Sequence, residues 1–152
     1  MKRLFILLCS LTLSASTFAA GRDTTRTKKV DESLLNSFRE QFPDAEQVVW
    51  EALPETFAVN FLDHGVRTQI TYDRQDAFVS STRYYEERNL PHRILNILKK
   101  RYAGKTIFAI TELTTEFGTE YHIKLQDDKV WLMVTMDSEG NIQNADEYQK
   151  TS

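Results

Sequence analysis

The 152-residue chain is poor in residues that staple or bend a backbone, with one cysteine, three prolines and five glycines. Its lone Cys9 lies in the N-terminal apolar stretch, so the remainder has no disulfide, although small exported domains often depend on them. Such a chain must be held together by apolar burial. After the N-terminus no apolar run is long enough for a bilayer, which argues against a membrane span. There is no basic cluster either: Lys and Arg number 19 against 22 Asp and Glu. Nucleic-acid binding rests on neutralising phosphates, so that partner is not expected. The three histidines, His64, His92 and His122, lack the mutual spacing of a metal site, and no cysteine can assist them. Ser80 and Ser81 sit outside any Gly-x-Ser-x-Gly elbow. No catalytic residue, metal ligand or cofactor motif is assigned, and the chain does not read as an enzyme.

What is present begins with a leader. MKRLFILLCSLTLSASTFAA opens on Lys2 and Arg3, turns apolar and ends in small residues, the layout of a secretory signal peptide. Cleavage after Ala19 places Thr17 and Ala19 at the positions needing small side chains, so residues 1–19 are expected to be removed on export, with the periplasm as destination. Leu8 before Cys9 argues against a lipid anchor. Without Lys2 and Arg3 the balance is 17 basic against 22 acidic residues. Residues 20–30, Thr-rich and polar, are expected to form a flexible segment because they have little to bury. The domain is expected over 31–150.

Within it the chain repeats itself. At an offset of 60, LLNSFREQF (34–42) lies over ILNILKKRY (94–102). At an offset of 64, residues 57–84 lie over 121–148, with identities at Asp63/Asp127, Val66/Val130, Thr71/Thr135, Asp73/Asp137 and Tyr84/Tyr148. The change of offset makes the second copy four residues longer between Ile110 and Tyr121, which lengthens a hairpin. Repeat one is placed at 31–87 and repeat two at 88–150, with Glu86 to Asn89 as a solvated linker.

Each copy reads as a helix followed by about four strands. Leu34, Leu35, Phe38 and Phe42 share a helical face, with Asp31 as its N-cap and Pro43 as its stop. Ile94, Leu95, Leu98 and Tyr102 form the second stripe, opened by Pro91 and ended by Gly104. Beyond each helix the period falls to two, as in Val130, Leu132, Val134 and Met136. Asp73 and Asp137 open turns whose backbone amides they can bind, which accounts for DSEGN better than a calcium loop does. The expected fold is therefore α+β: two tandem α-β4 repeats, helices on one face of antiparallel sheet, the opposite face open. Two such sheets side by side can form one continuous curved sheet. Phe38, Phe42, Trp50, Phe57, Phe61, Tyr72, Phe78, Phe108 and Tyr121 are expected on the helix side.

FPDAEQVVW, VNFLDHGVRTQITYD and LPHRILNILKKRY together resemble the PepSY-like domain of exported bacterial proteins, which has the two-repeat fold of β-lactamase inhibitory protein. The likeness spans about Asp31 to Tyr148. It implies no catalytic residue, and it implies a protein partner held on the sheet face. The inhibitor carries disulfides that this chain lacks, and a shared fold does not carry over a target.

The periodicity aims Trp131 and Met133 away from the helices, together with His122 and Lys124 on the preceding strand and Arg67 and Gln69 on the strand matching Trp131 in the first copy. An outward tryptophan and methionine inside a polar rim has the composition of a protein-binding hot spot. These six residues form the candidate site for a protein or peptide partner. The bland alternative is ordinary scattered surface apolar area, or a cover supplied by a loop, the tether or a second subunit. The alternative function is a small-molecule or envelope-component binder with a pocket between helices and sheet. Oligomeric state is not legible from the sequence.

Overall fold

The computed structural model describes residues 30–151. The leader over 1–19, its cleavage point at Ala19 and all but the last residue of the 20–30 segment lie outside the described residues. In chain order the elements are helix α1 (Glu32–Gln41), strands β1 (Glu46–Ala52), β2 (Thr56–Asp63), β3 (Val66–Asp73) and β4 (Phe78–Tyr85), a 3-10 turn (Glu87–Asn89), helix α2 (His92–Arg101), and strands β5 (Thr106–Thr115), β6 (Gly118–Gln126), β7 (Val130–Asp137) and β8 (Ile142–Gln149).

The expected architecture needs correction. The chain builds one eight-stranded antiparallel sheet in simple order from β1 to β8, and its two helices are short accessory elements of ten residues each. It is not two tandem α-β4 repeats with an open far side, and α+β describes it only loosely. The seam at the middle is a full ladder, running from Ser80 opposite Thr115 to Tyr85 opposite Ile110. Separate halves would leave β4 and β5 as edges with unpaired amides and carbonyls, and mutual pairing removes both edges. Nor is that far side of the sheet simply open: across it Asn60, Gln69, Thr82, Thr111, His122 and Lys124 are all half-buried.

The helices form where apolar side chains recur at helical spacing. Leu34 and Phe38 of α1 are buried with Phe57, Val59, Phe61, Ile70 and Tyr72. Ile94 and Leu98 of α2 are buried with Ile110, Tyr121, Ile123, Leu125, Leu132, Val134 and Met136. Each large side chain so removed from water contributes roughly 1.5–3 kcal/mol. Asp31 occupies the N-cap position of α1, but its carboxylate makes no capping bond; its carbonyl accepts the Leu35 amide instead.

Two clusters form because a polar row crosses the middle of the sheet. Thr68 is opposite Arg83, Arg83 opposite Glu112, and Glu112 opposite Tyr121. Glu112 accepts the Tyr85 hydroxyl at 2.5 Å on one oxygen and an Arg83 guanidinium nitrogen at 3.4 Å on the other. Burial, then this hydrogen bond, push the Tyr85 hydroxyl far above its ordinary pKa, and burial raises Tyr121 as well.

The turns are fixed by aspartates. Oδ1 of Asp73 accepts the amides of Gln75 and Ala77, and Oδ1 of Asp137 accepts those of Glu139 and Asn141. Asn141 also donates its side-chain amide to Asp137, and these bonds hold that carboxyl below its usual range. The carboxylate is thus occupied by the backbone, as an Asx turn requires.

Two expected core aromatics lie elsewhere. Phe78 opens β4, belongs to neither cluster and is 47% exposed. Phe108 is 54% exposed because β5 carries a bulge: Ile107 is opposite Leu125, yet Ala109 is opposite Lys124. The one extra residue breaks strict alternation and turns the Phe108 ring away from the core.

Candidate functional site

Strand β7 supplies the centre of the site. Val130, Leu132, Val134 and Met136 are buried in the core, so the intervening Trp131 and Met133 emerge on the reverse surface. Opposite them on β6 stand Gln126 and Lys124, and on β8 stand Tyr148 and Asp146. The bulge in β5 adds the Phe108 ring, edge-on to the indole of Trp131 at 5.0 Å between centroids and 73° between planes.

Two ammonium groups lie over that indole. Lys124 Nζ is 3.8 Å from a Trp131 ring centroid and 5.2 Å from that of Phe108. Lys150 Nζ is 4.4 Å from Trp131 and donates to Gln126 Oε1 at 3.0 Å. The last residue of this group arrives because β8 pairs with β7 up to Gln149, and the Lys150 amide then binds the Lys129 carbonyl at 2.8 Å. A cation over an aromatic face is attracted by the ring quadrupole, so the lysines are held in place without a carboxylate.

Of the six residues singled out in the sequence, the structure brings three into one group: Trp131, Lys124 and, opposite Lys124, Met133. His122 lies one row further along β6, against Thr135 Oγ1 at 3.4 Å and Glu120 at 3.6 Å. Arg67 and Gln69 share the same surface but sit on β3, beyond Tyr84 and Thr82 of β4 and Thr111 and Leu113 of β5. With strands about 4.8 Å apart, β3 is four steps and about 19 Å from β7, too far for Arg67 to share a contact with Trp131. The positions matched to Trp131 and Met133 by sequence offset therefore mark a different part of the surface.

Sequence reasoning missed Phe108, Lys150 and Tyr148. An unbroken alternation from Ile110 assigns Phe108 inward, and nothing local announces the bulge. Alternation from Ile142 assigns Tyr148 inward; the register shift between Met136/Ile142 and Thr135/Asn144 turns it to the Trp131 surface instead. Lys150 joins only through the β7–β8 register.

Chemically the cluster is equipped to bind. It offers aromatic faces, a thioether and two cations, with no nucleophile–base pair. Among the described residues, no group of three or more His, Cys, Asp or Glu side chains is placed to hold a metal ion. No described helix is long and apolar enough to cross a membrane. The pocket between α2 and the sheet, lined by Leu98, Tyr102, Ile107 and Leu125 among others, has a volume of about 30 Å³. That holds one water, whereas small-molecule sites take hundreds of cubic ångströms.

The chain matches no family model, and no curated protein matches it either. Its fold, however, recurs in solved structures. A BLIP-like protein from Bacteroides fragilis superimposes with a TM-score of 0.61 at 13% identity, over 80% of this chain and 89% of that one. A DUF2874 family protein from Bacteroides uniformis gives a TM-score of 0.59 at 16% identity, over 77% and 88%. A protein from Bacteroides eggerthii provisionally described as periplasmic also gives 0.59, at 12% identity, over 77% and 88%. The fold is therefore BLIP-like. At these identities the likeness speaks for the fold alone.

Proposed function

We propose that this chain is an exported, non-enzymatic binding protein that engages a protein or peptide partner on the sheet surface around Trp131. The observation that carries this reading is the Trp131–Phe108 pair, capped by Lys124 and Lys150 and bordered by Met133 and Tyr148. Aromatic side chains on a rigid strand scaffold offer large contact area with few rotatable bonds, and tryptophan and tyrosine are enriched among the residues that dominate interface energetics. The signal-like leader supports export, and the periplasmic description of one structural relative agrees with that destination. The name of the PepSY-like family stays with the sequence resemblance.

The test is recovery of a partner from an envelope fraction on immobilised protein. Trp131→Ser combined with Met133→Ser removes the centre of the surface while leaving Leu132 and Val134 in the core. Retained folding with loss of the partner supports the reading; unchanged recovery by the double variant rejects it. A small-molecule site between α2 and the sheet is not favoured, since the space there is about 30 Å³.

A further inference from the structure

We infer that the partner presents a carboxylate beside an apolar side chain, and that Lys124 and Lys150 clamp that carboxylate over the Trp131 indole. This rests on the reading that the Trp131 surface is a docking site, and it adds the chemistry of what docks.

Lys124 Nζ and Lys150 Nζ lie 3.8 and 4.4 Å from a Trp131 ring centroid, so one indole carries two cations. Two like charges on one indole repel, and an anion drawn in beside them relieves the repulsion. Among the described residues neither lysine has a carboxylate within ion-pair distance. Two nearby carboxylates are otherwise engaged. Asp127 binds Lys105 Nζ at 2.6 Å, and Asp146 accepts the Asn144 side-chain amide at 2.6 Å. Among the described residues, the one hydrogen-bond acceptor for either ammonium is Gln126, a neutral group that cannot compensate charge.

The surroundings select the kind of anion. Asp127 and Asp128 line the hollow next to Lys150, and Asp146 and Glu147 follow on β8. A membrane of anionic lipids or a nucleic acid would bring many charges against these aspartates and glutamates. A single acidic side chain in a peptide meets the two lysines while its apolar neighbour covers Phe108 and Met133. A charge-assisted bond to each ammonium would replace water, with the aromatic faces excluding solvent beside it.

The experiment is an NMR titration of the full mature protein. The indole N–H of Trp131 is identified by its disappearance in Trp131→Phe. The probes are the peptide acetyl-Ser-Phe-Glu-Phe-Ser-amide, the same peptide with Gln for Glu, the same with Lys, sodium acetate, and vesicles of phosphatidylserine with phosphatidylcholine. The Glu peptide should shift the Trp131 resonance, weaken as salt rises, and bind at least about fivefold more tightly than the Gln peptide, the scale of one charge-assisted bond. Lys124→Gln with Lys150→Gln should abolish the preference for Glu over Gln. Equal binding of Glu and Gln peptides overturns the carboxylate clamp while leaving the docking surface standing. No response at Trp131 to either peptide overturns the clamp as well, and partner recovery with Trp131→Ser then decides the docking surface separately. Response to acetate alone with equal strength, or to the vesicles in preference to the peptides, also overturns a peptide carboxylate as the ligand.

Discussion

Phe108 meets Trp131 edge-on at 5.0 Å because a single extra residue is threaded into β5 between Ile107 and Ala109. An unbulged strand would bury that phenylalanine in the α2 cluster and leave Trp131 with lysines alone. The bulge thus converts a core residue type into part of a surface.

Phe108→Ala should therefore behave as a surface substitution. The expected loss of stability is below about 1.5 kcal/mol, the worth of one aromatic pair, since little core packing is removed. The Trp131 emission should shift to the red, with Trp131→Phe supplying the Trp50 background. A loss of several kcal/mol on thermal denaturation would mean that Phe108 is a core residue after all.

Tyr85→Phe removes the hydroxyl that Glu112 accepts at 2.5 Å. The Glu112 side chain is only 14% exposed, so a lost donor leaves a largely buried carboxylate short of a partner. Destabilisation of about 1–3 kcal/mol is expected in urea denaturation. Tyr85→Phe combined with Glu112→Leu should recover part of that loss; a double variant no more stable than the single one would count against the account.

Gly140 has φ of +91° in the turn between β7 and β8, and a Cβ there would approach Ile97 Cδ1 to 2.3 Å. The isoleucine tip can rotate aside, but the left-handed backbone remains costly for alanine, by roughly 1–2 kcal/mol. Gly104, at φ +90° with open space around it, carries the backbone cost alone. Gly140→Ala should therefore lower the melting temperature more than Gly104→Ala. Equal effects would show that Ile97 yields without penalty.

Two exposed groups give opposite pH dependences. Asp127 is held well below the usual carboxylate range by the Lys105 side chain first, then by the amides of Lys129 and Val130. Its stabilisation is present above the unfolded carboxylate pKa of about 4 and is lost as pH falls through the folded value. Asp127→Asn should flatten the acid limb of the stability profile. His64 is raised by its hydrogen bond to Asp63, so any contribution is present below the unfolded imidazole pKa and lost as pH rises through the folded one. The His64 ring protons should titrate above an ordinary histidine and return toward it in Asp63→Asn. A normal His64 midpoint would remove the Asp63 contact from solution.

The elements were legible wherever a local period marks them. Leu34 and Phe38, Ile94 and Leu98, and the alternating Val130 to Met136 all announce their elements within a few residues, because helical and extended backbones project side chains at fixed intervals. The aspartate turns were equally local. Trp131, Met133 and Lys124 were readable as outward for the same reason. Phe108 and Phe78 were misread because a bulge and a strand end break the alternation on which the reading depends. Arg67 and Gln69 were grouped with Trp131 by sequence offset, which says nothing about distance across a sheet.

Sequence by itself determined the two short amphipathic helices, the strands, the turn chemistry and the dependence on an apolar core without disulfides, since each follows from the side chains of adjacent residues. The pairing of β4 with β5 that makes one eight-stranded sheet, the polar Arg83–Glu112 pair that divides its core, and the meeting of Phe108, Lys124, Trp131 and Lys150 were decided by tertiary structure. Register between strands is a property of two segments at once. It is settled when hydrogen-bond ladders close and buried faces align, and no single segment carries that information.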